Sequence, residues 1–136
     1  MPIVTLQVRT RQHSALEEIT ELVQQAVRQS GVAEGECTVY LPHTTAGLLV
    51  NENYDPTVAA DILATLERLV PEQGPYQHGE GNAAAHIRAA LVGASHAFIV
   101  QGGQLLLGTW QGIFLAEFDG PRQRRVIVSI HPSMSQ

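Results

Sequence analysis

Leu105-Leu106-Leu107-Gly108-Thr109-Trp110-Gln111-Gly112-Ile113-Phe114-Leu115-Ala116-Glu117-Phe118 is the stretch whose reading decides the fold. It is a β-like run broken at Gly108-Thr109, and it closes on a turn, Asp119-Gly120-Pro121-Arg122. Beyond the turn Arg125 to Ile130 is again β-like. Upstream, Phe98-Ile99-Val100 is another such run, and Gly102-Gly103 after it has the composition of a hairpin turn. Three β-like runs therefore close the chain, and the patterns before them are partly helical, which places it in the α+β class.

Working outward to the N-terminal side, residues 3–9 alternate, with Val4, Leu6 and Val8 on one side, and read as a strand. Ser14-Ala15-Leu16-Glu17 has the form of a capping box, which predicts a helix with Leu16, Ile19, Val23, Ala26 and Val27 on one stripe, ended by Gly31. Residues 36–41 form a strand pattern with Cys37, Val39 and Leu41 on one face. Pro42-His43-Thr44-Thr45 interrupts it before the next strand, Gly47-Leu48-Leu49-Val50. Asp55-Pro56 supplies an N-cap and a first-turn proline for a helix presenting Val58, Ile62, Leu66 and Leu69, stopped by Pro71. Residues 71–82 hold three glycines and two prolines and read as a loop long enough to be functional. Ala83 to Val92 is an alanine-rich helix, capped by Asn82 and ended by Gly93. No repeat or linker divides the chain, so residues 1–136 are expected to form a single domain with about three helices and six or seven strands.

The charge inventory excludes several mechanisms. The net charge is −5, and all 8 basic residues are arginine. Without lysine there is neither Schiff-base chemistry nor a P-loop. Charged residues make up 15% of the chain, against roughly 25% in a typical soluble domain, which hints at surface hidden in an oligomer. Nothing approaches the roughly 18 consecutive apolar residues of a membrane span. Met1-Pro2-Ile3-Val4-Thr5 leads straight into the first strand without the pattern of a signal peptide. A lone cysteine, Cys37, suits a reducing cytoplasm, and its strand neighbours favour a buried thiol over a nucleophile. The acidic balance argues against nucleic-acid binding, since the one basic cluster, Arg122, Arg124 and Arg125, is too small to reverse it.

Histidine carries the functional signal. His13, His96 and His131 read as structural or exposed. His43-Thr44-Thr45 stands at the start of a strand, and Asn51, Asn53 and Asp55 stand past its end, where an amide and a carboxylate could position an imidazole or a hydrated metal. The alternative is a threonine turn and a simple helix cap at Asp55. His78-Gly79-Glu80-Gly81-Asn82 leads into His86, about one turn into its helix, where the macrodipole favours a neutral imidazole able to bind metal. The spacing from His78 to His86 matches no zinc signature. Trp110, flanked by glycines, suggests a bulge meeting a ligand, or simply a core tryptophan. Arg122 could meet an anion or point into solvent.

Together these pieces resemble a known family. His43-Thr44-Thr45-Ala46-Gly47, Asn51-Glu52-Asn53 with Asp55-Pro56, His78-Gly79-Glu80-Gly81-Asn82 with His86-Ile87, Gly108-Thr109-Trp110-Gln111-Gly112-Ile113 and Arg124-Arg125-Val126 look like the YjbQ family, described as secondary thiamine-phosphate synthase-like proteins. The resemblance runs in order along nearly the whole chain. It implies an α+β fold with mixed or antiparallel, sandwich-like sheets, assembled as a homotrimer, with a histidine-rich polar pocket near the subunit interfaces. It also implies a weak thiamine-phosphate synthase activity, joining a pyrimidine pyrophosphate to a thiazole phosphate.

The leading expectation is thus an enzyme whose His43, His78 and His86 hold a divalent metal (Zn or Mg) or phosphate. His43, Asn51, Asp55, Glu80 and Asn82 would do the chemistry, with Glu80 as general acid or base, and Thr44, Thr45, Trp110 and Arg122 would bind the ligand. The leaving pyrophosphate would need charge stabilisation that only arginine, histidine, backbone or a metal can give in a lysine-free chain. Two other readings stay open: a metal-dependent hydrolase, and a non-catalytic trimer that binds a small phosphorylated metabolite.

Overall fold

The computed structural model describes residues 3–134; Met1 and Pro2, part of the stretch read for a signal peptide, and Ser135 and Gln136 at the C-terminal end lie outside it. The element order is β1 (Ile3–Arg9), β2 (Ala15–Glu18), α1 (Thr20–Ser30), β3 (Glu34–Tyr40), β4 (Ala46–Glu52), α2 (Pro56–Leu69), α3 (Ala83–Val92), β5 (Ser95–Gln101), β6 (Gln104–Leu105), β7 (Gln111–Glu117) and β8 (Gln123–Pro132). Two sheets form, one ordered β1-β8-β3-β5-β6 and the other β2-β7-β4. Every pairing in them is antiparallel.

Side-chain patterning explains which strand goes where. β8 alternates buried and accessible positions from Arg124 to His131, as a strand with one face on the core must. β7 is buried at every position from Gly112 to Glu117 and reads as an unbroken apolar run because both its faces are covered. On one face Ile113 and Leu115 join Leu48, Cys37, Val39, Phe98, Val126, Val128, Ile130 and the α1 stripe Val23, Ala26 and Val27 in the main core. On the other, Ala116 meets Ala85 and Ala89 of α3 together with Phe118, Leu16, Leu63 and Leu66. Helices α2 and α3 thus pack behind the three-stranded sheet. The Gly102-Gly103 hairpin is present, both residues at positive φ (62° and 76°).

The expected capping box is not a helix start. Residues 15–18 form a strand, pairing Ala15 with Glu117 and Glu18 with Phe114. Ser14 bonds the ring of His13 instead, at 2.9 Å. The helix begins at Thr20 with Ile19 in the capping position and no side-chain cap. Pairing to β7 outweighs the local cap because it satisfies a row of backbone groups and places Leu16 behind the sheet. Among the described residues eight strands stand, against an expectation of six or seven. Ile19, Val23, Ala26 and Val27 do form the predicted buried stripe, and Gly31, at φ 75°, ends it.

Candidate functional site

Three connections meet at one end of the three-stranded sheet and line a cavity of about 370 Å³. The link between β3 and β4 contributes His43, Thr44 and Thr45. The start of α3 and the approach to it contribute Glu80, Asn82 and His86, and the β7–β8 turn with the start of β8 contributes Asp119, Arg122 and Arg124.

The floor of this cavity is a buried ion pair. Glu117, at the end of β7, is 0% exposed, and Arg124, on an inward position of β8, is 4% exposed. The Arg124 Nε donates to Glu117 Oε1 at 2.8 Å, and Nη2 donates to Glu117 Oε2 and, at 2.9 Å, to Thr45 Oγ1. Glu117 also accepts from the Thr10 hydroxyl at 2.7 Å and the Asp119 N–H at 2.9 Å. Burial alone would raise the Glu117 pKa; these hydrogen bonds and the Arg124 charge outweigh it and hold the carboxyl below its ordinary range. A buried pair with its lone pairs this fully used fixes the geometry of the three segments around it.

Above the floor, His43 Nε2 accepts the Arg125 backbone N–H at 2.9 Å. Burial, followed by the Arg124 and Arg125 charges, lowers the His43 pKa. At neutral pH the imidazole is therefore neutral, with its proton on Nδ1. Asn82 stands at the capping position of α3 but makes no capping hydrogen bond. Its Nδ2 donates to Asp119 Oδ2 at 3.0 Å, and its Oδ1 is buried without a partner among the described residues. The first turn of α3 is thus left without a side-chain cap. Arg122 reaches the same Asp119 oxygen at 3.0 Å and its backbone oxygen at 2.8 Å. Burial pushes the Asp119 carboxyl up, but the bonds from Asn82 and Arg122 and the Arg122 charge bring it below its usual value.

The expected residues divide into two places. His43, Thr44, Thr45, Glu80, Asn82, His86 and Arg122 come together. His78 lies just beyond them: it pairs with Glu80 at 2.9 Å and meets the His86 ring edge-on, centroids 5.2 Å apart. Asn51, Asp55 and Trp110 do not join within one chain. They sit at the far end of β4, whose seven residues extend about 20 Å. Asn51 turns its side-chain oxygen to the Glu52 N–H. Asp55 is the α2 cap, accepting from the Thr57 N–H at 3.0 Å and the Thr57 hydroxyl at 2.8 Å, bonds that lower its pKa. Trp110 is no core residue: it is 56% exposed and lies against Tyr54, ring centroids 5.1 Å apart.

Among the described residues no three His, Cys, Asp or Glu side chains converge where they could hold a metal ion. His43, His78 and His86 do not form such a group within one chain. Sequence reasoning also passed over the ion-pair floor. Its signal was there: Arg124 shares the inward register of Val126, Val128 and Ile130, and a charge on a core face demands a partner.

An antiparallel α+β domain of two sheets, with a polar cleft at the end of the smaller one, is the class these features define. The family model of UPF0047 proteins, YjbQ-like, matches residues 4–133, and the chain belongs to that family. It is 48% identical over 124 residues to the UPF0047 protein MJ1081 of Methanocaldococcus jannaschii, covering 91% of this chain and 90% of the relative. The UPF0047 protein YugU of Bacillus subtilis is 43% identical over 127 residues, covering 93% of this chain and 96% of that one. Among solved structures, an uncharacterized yjbq/upf0047 family protein of Clostridium acetobutylicum superposes with a TM-score of 0.92 at 48% identity, covering 94% of this chain and 99% of the other. A protein of unknown function from Sulfolobus solfataricus gives 0.93 at 35% identity, covering 97% of each chain.

Proposed function

We propose that the cavity binds a small phosphorylated metabolite. The observation that carries this reading is the Asn82 side chain, which leaves α3 uncapped and bonds Asp119 instead. An uncapped helix start offers free N–H groups and the positive end of the dipole to an anion. His43 adds an Nδ1–H donor, Thr44 a hydroxyl and Arg122 a guanidinium that stays half-exposed beside its Asp119 partner, in a chain with no lysine. Titration calorimetry with inorganic phosphate tests it: wild-type protein binds, and His43→Ala and His86→Ala bind at least about tenfold more weakly, a loss of one hydrogen bond to a charged group. Wild-type protein that ignores phosphate at millimolar concentration would sink the reading.

A catalytic form of the same reading is a weak thiamine-phosphate synthase-like transfer. It is favoured by the neutral His43 imidazole beside two arginines, a group able to move a proton at neutral pH while the cationic side chains steady a leaving pyrophosphate. Glu80, exposed and paired with His78, is the second acid–base group. Chromatographic detection of thiamine phosphate from the pyrimidine pyrophosphate and thiazole phosphate is the test. No product at any enzyme concentration, with phosphate binding intact, leaves a binding protein only.

The working assembly in this reading is a homotrimer, supported by the low charge content and by large apolar side chains at the surface, among them Ile99 at 59% and Leu106 at 52% exposed. Its location is cytoplasmic, on the strength of a lone Cys37 whose thiol burial pushes up to about 11. No helix of the described residues is long and apolar enough to cross a membrane.

A further inference from the structure

The far end of β4 carries chemistry that the cavity does not use. Trp110, the chain's one tryptophan, lies against Tyr54, which is 74% exposed, with the two ring planes at 59°. Two large rings side by side in water form the kind of surface feature that calls for a ligand or a cover. The backbone beneath them is tied on several sides. Gly108 to Gln111 form a turn, in which the Gln111 N–H donates to the Gly108 carbonyl at 3.1 Å and the Gly108 N–H donates to Gln111 Oε1 at 2.8 Å. The Trp110 carbonyl accepts the Asn53 N–H at 2.9 Å. Tyr54 stands between that anchored Asn53 and the Asp55 cap of α2. Both rings are thus presented on fixed supports.

Their surroundings are acidic. Glu52 stands opposite Gln111 in the register of β4 on β7, and Glu18 reaches in from β2. A Cβ on Gly112 would stand 2.8 Å from Glu18 Oε2 and 2.7 Å from Asn53 Cβ. The missing side chain at Gly112 is therefore what lets Glu18 and Asn53 meet across β7, next to the turn. Glu18 Oε2 accepts from Asn53 Nδ2 and from the Thr20 hydroxyl, both at 2.8 Å, and Glu52 Oε2 accepts the Asp55 N–H at 3.2 Å. Among the described residues neither carboxylate forms an ion pair. Asp55 adds less, because its carboxylate serves the α2 cap. Aromatic faces carry negative potential as well. Two rings and two unpaired carboxylates therefore present one sign of charge, and the complement is a cation.

We propose that this end of β4 is a second binding site, taking a small aliphatic quaternary ammonium ion on the Trp110 and Tyr54 faces beside Glu18 and Glu52. Such an ion spreads its charge over methyl groups that the rings cover, while the carboxylates balance it from the side. The same carboxylates repel a ligand that also carries a phosphate, so the site differs in kind from the cavity at the other end of the strand and stands whether or not that cavity binds phosphate. Because Trp110 is the chain's one tryptophan, its fluorescence reports directly on this surface. The whole protein is titrated at low ionic strength, where surface charge is least screened, with choline, with dimethylbutanol, in which carbon replaces the choline nitrogen, and with phosphocholine. Matched sodium chloride is the control. Choline shifts the emission with a millimolar midpoint and binds at least about threefold more tightly than the neutral isostere, the factor an exposed cation–π contact supports. Phosphocholine binds more weakly than choline. Tyr54→Ala and Glu52→Gln, both changes at the surface, each weaken choline about threefold, and Tyr54→Phe keeps wild-type affinity. Emission unmoved by choline, a neutral isostere or phosphocholine that matches it, or wild-type midpoints in both weakening variants overturns the proposal.

Discussion

Arg124 and Glu117 are the residues on which the cavity depends most. Removing one partner of a buried pair strands the other charge, at a cost of about 3–5 kcal/mol. Arg124→Met should lose stability on that order in urea denaturation, because the Thr10 hydroxyl and Asp119 N–H cannot neutralise the Glu117 carboxylate. The same pair sets an acid limit. The folded-state pKa of Glu117 is depressed, so its stabilisation is complete above the ordinary carboxylate range and is lost as pH falls through the folded value. Stability of Glu117→Gln should therefore vary less with pH below the ordinary carboxylate value of about 4.5; an identical slope in wild type and variant would count against the assignment. His43 acts in a higher window. Its depressed pKa means the unfolded chain takes up the proton first as pH falls through the ordinary histidine value of 6.5. The folded state loses stability from there down to its own pKa, and His43→Gln should remove that slope. Nitrogen-15 NMR should show the Nδ1–H tautomer at neutral pH and a midpoint below 6.5. A cationic ring at neutral pH would contradict the hydrogen bond from Arg125.

At the scale of elements, what could be read from the sequence depended on whether the signal was local. Asp55-Pro56 carries its own instructions, a side-chain cap and a proline at the first turn, and α2 starts there. β8 shows its inward face by alternation alone. β2 has no such signature: Ser14-Ala15-Leu16-Glu17 satisfies a helix-start rule and becomes a strand only because β7, about a hundred residues away, offers a paired edge. Trp110 was equally ambiguous, since size says core while its flanking glycines say surface. The histidine clusters were visible as sequence, yet their division between the two ends of β4 depends on the strand's length and on which turns close around it. Gly47 shows how closely the elements that carry the site are packed. A Cβ there would stand 2.8 Å from Val92 Cγ1 and 2.9 Å from the Gly93 carbonyl. The strand cannot easily retreat, because the Leu48 N–H is bonded to that same carbonyl at 2.9 Å. Gly47→Ala should cost about 1–3 kcal/mol by overpacking. It should also weaken phosphate binding, because the helix it displaces carries Asn82 and His86. Calorimetry and denaturation with both values unchanged would show that α3 does not need this close approach.

For the whole molecule, the outer face of the five-stranded sheet tests the trimer. Strand register lines up Ile3, Ser129, Thr38 and Ala97 across four strands. The neighbouring row is Thr5, Ile127, Tyr40 and Ser95. Neither row holds a charge, although Ile3 is 65% and Tyr40 46% exposed in the single chain. A solvated sheet face normally alternates apolar-in with polar or charged-out, and two uncharged rows in succession are what a face buried by a neighbour can carry. The composition agrees with this, since charged residues make up only 15% of the chain. If the homotrimer forms here, wild-type protein should sediment at three times the 14.7 kDa chain mass. Ala97→Glu, which puts a charge into the middle of the face with no core contact to lose, should then release single chains that keep the wild-type circular dichroism. A wild-type monomer at micromolar concentration would remove the trimer altogether. An Ala97→Glu protein that still sediments as a trimer would move the interface off this face.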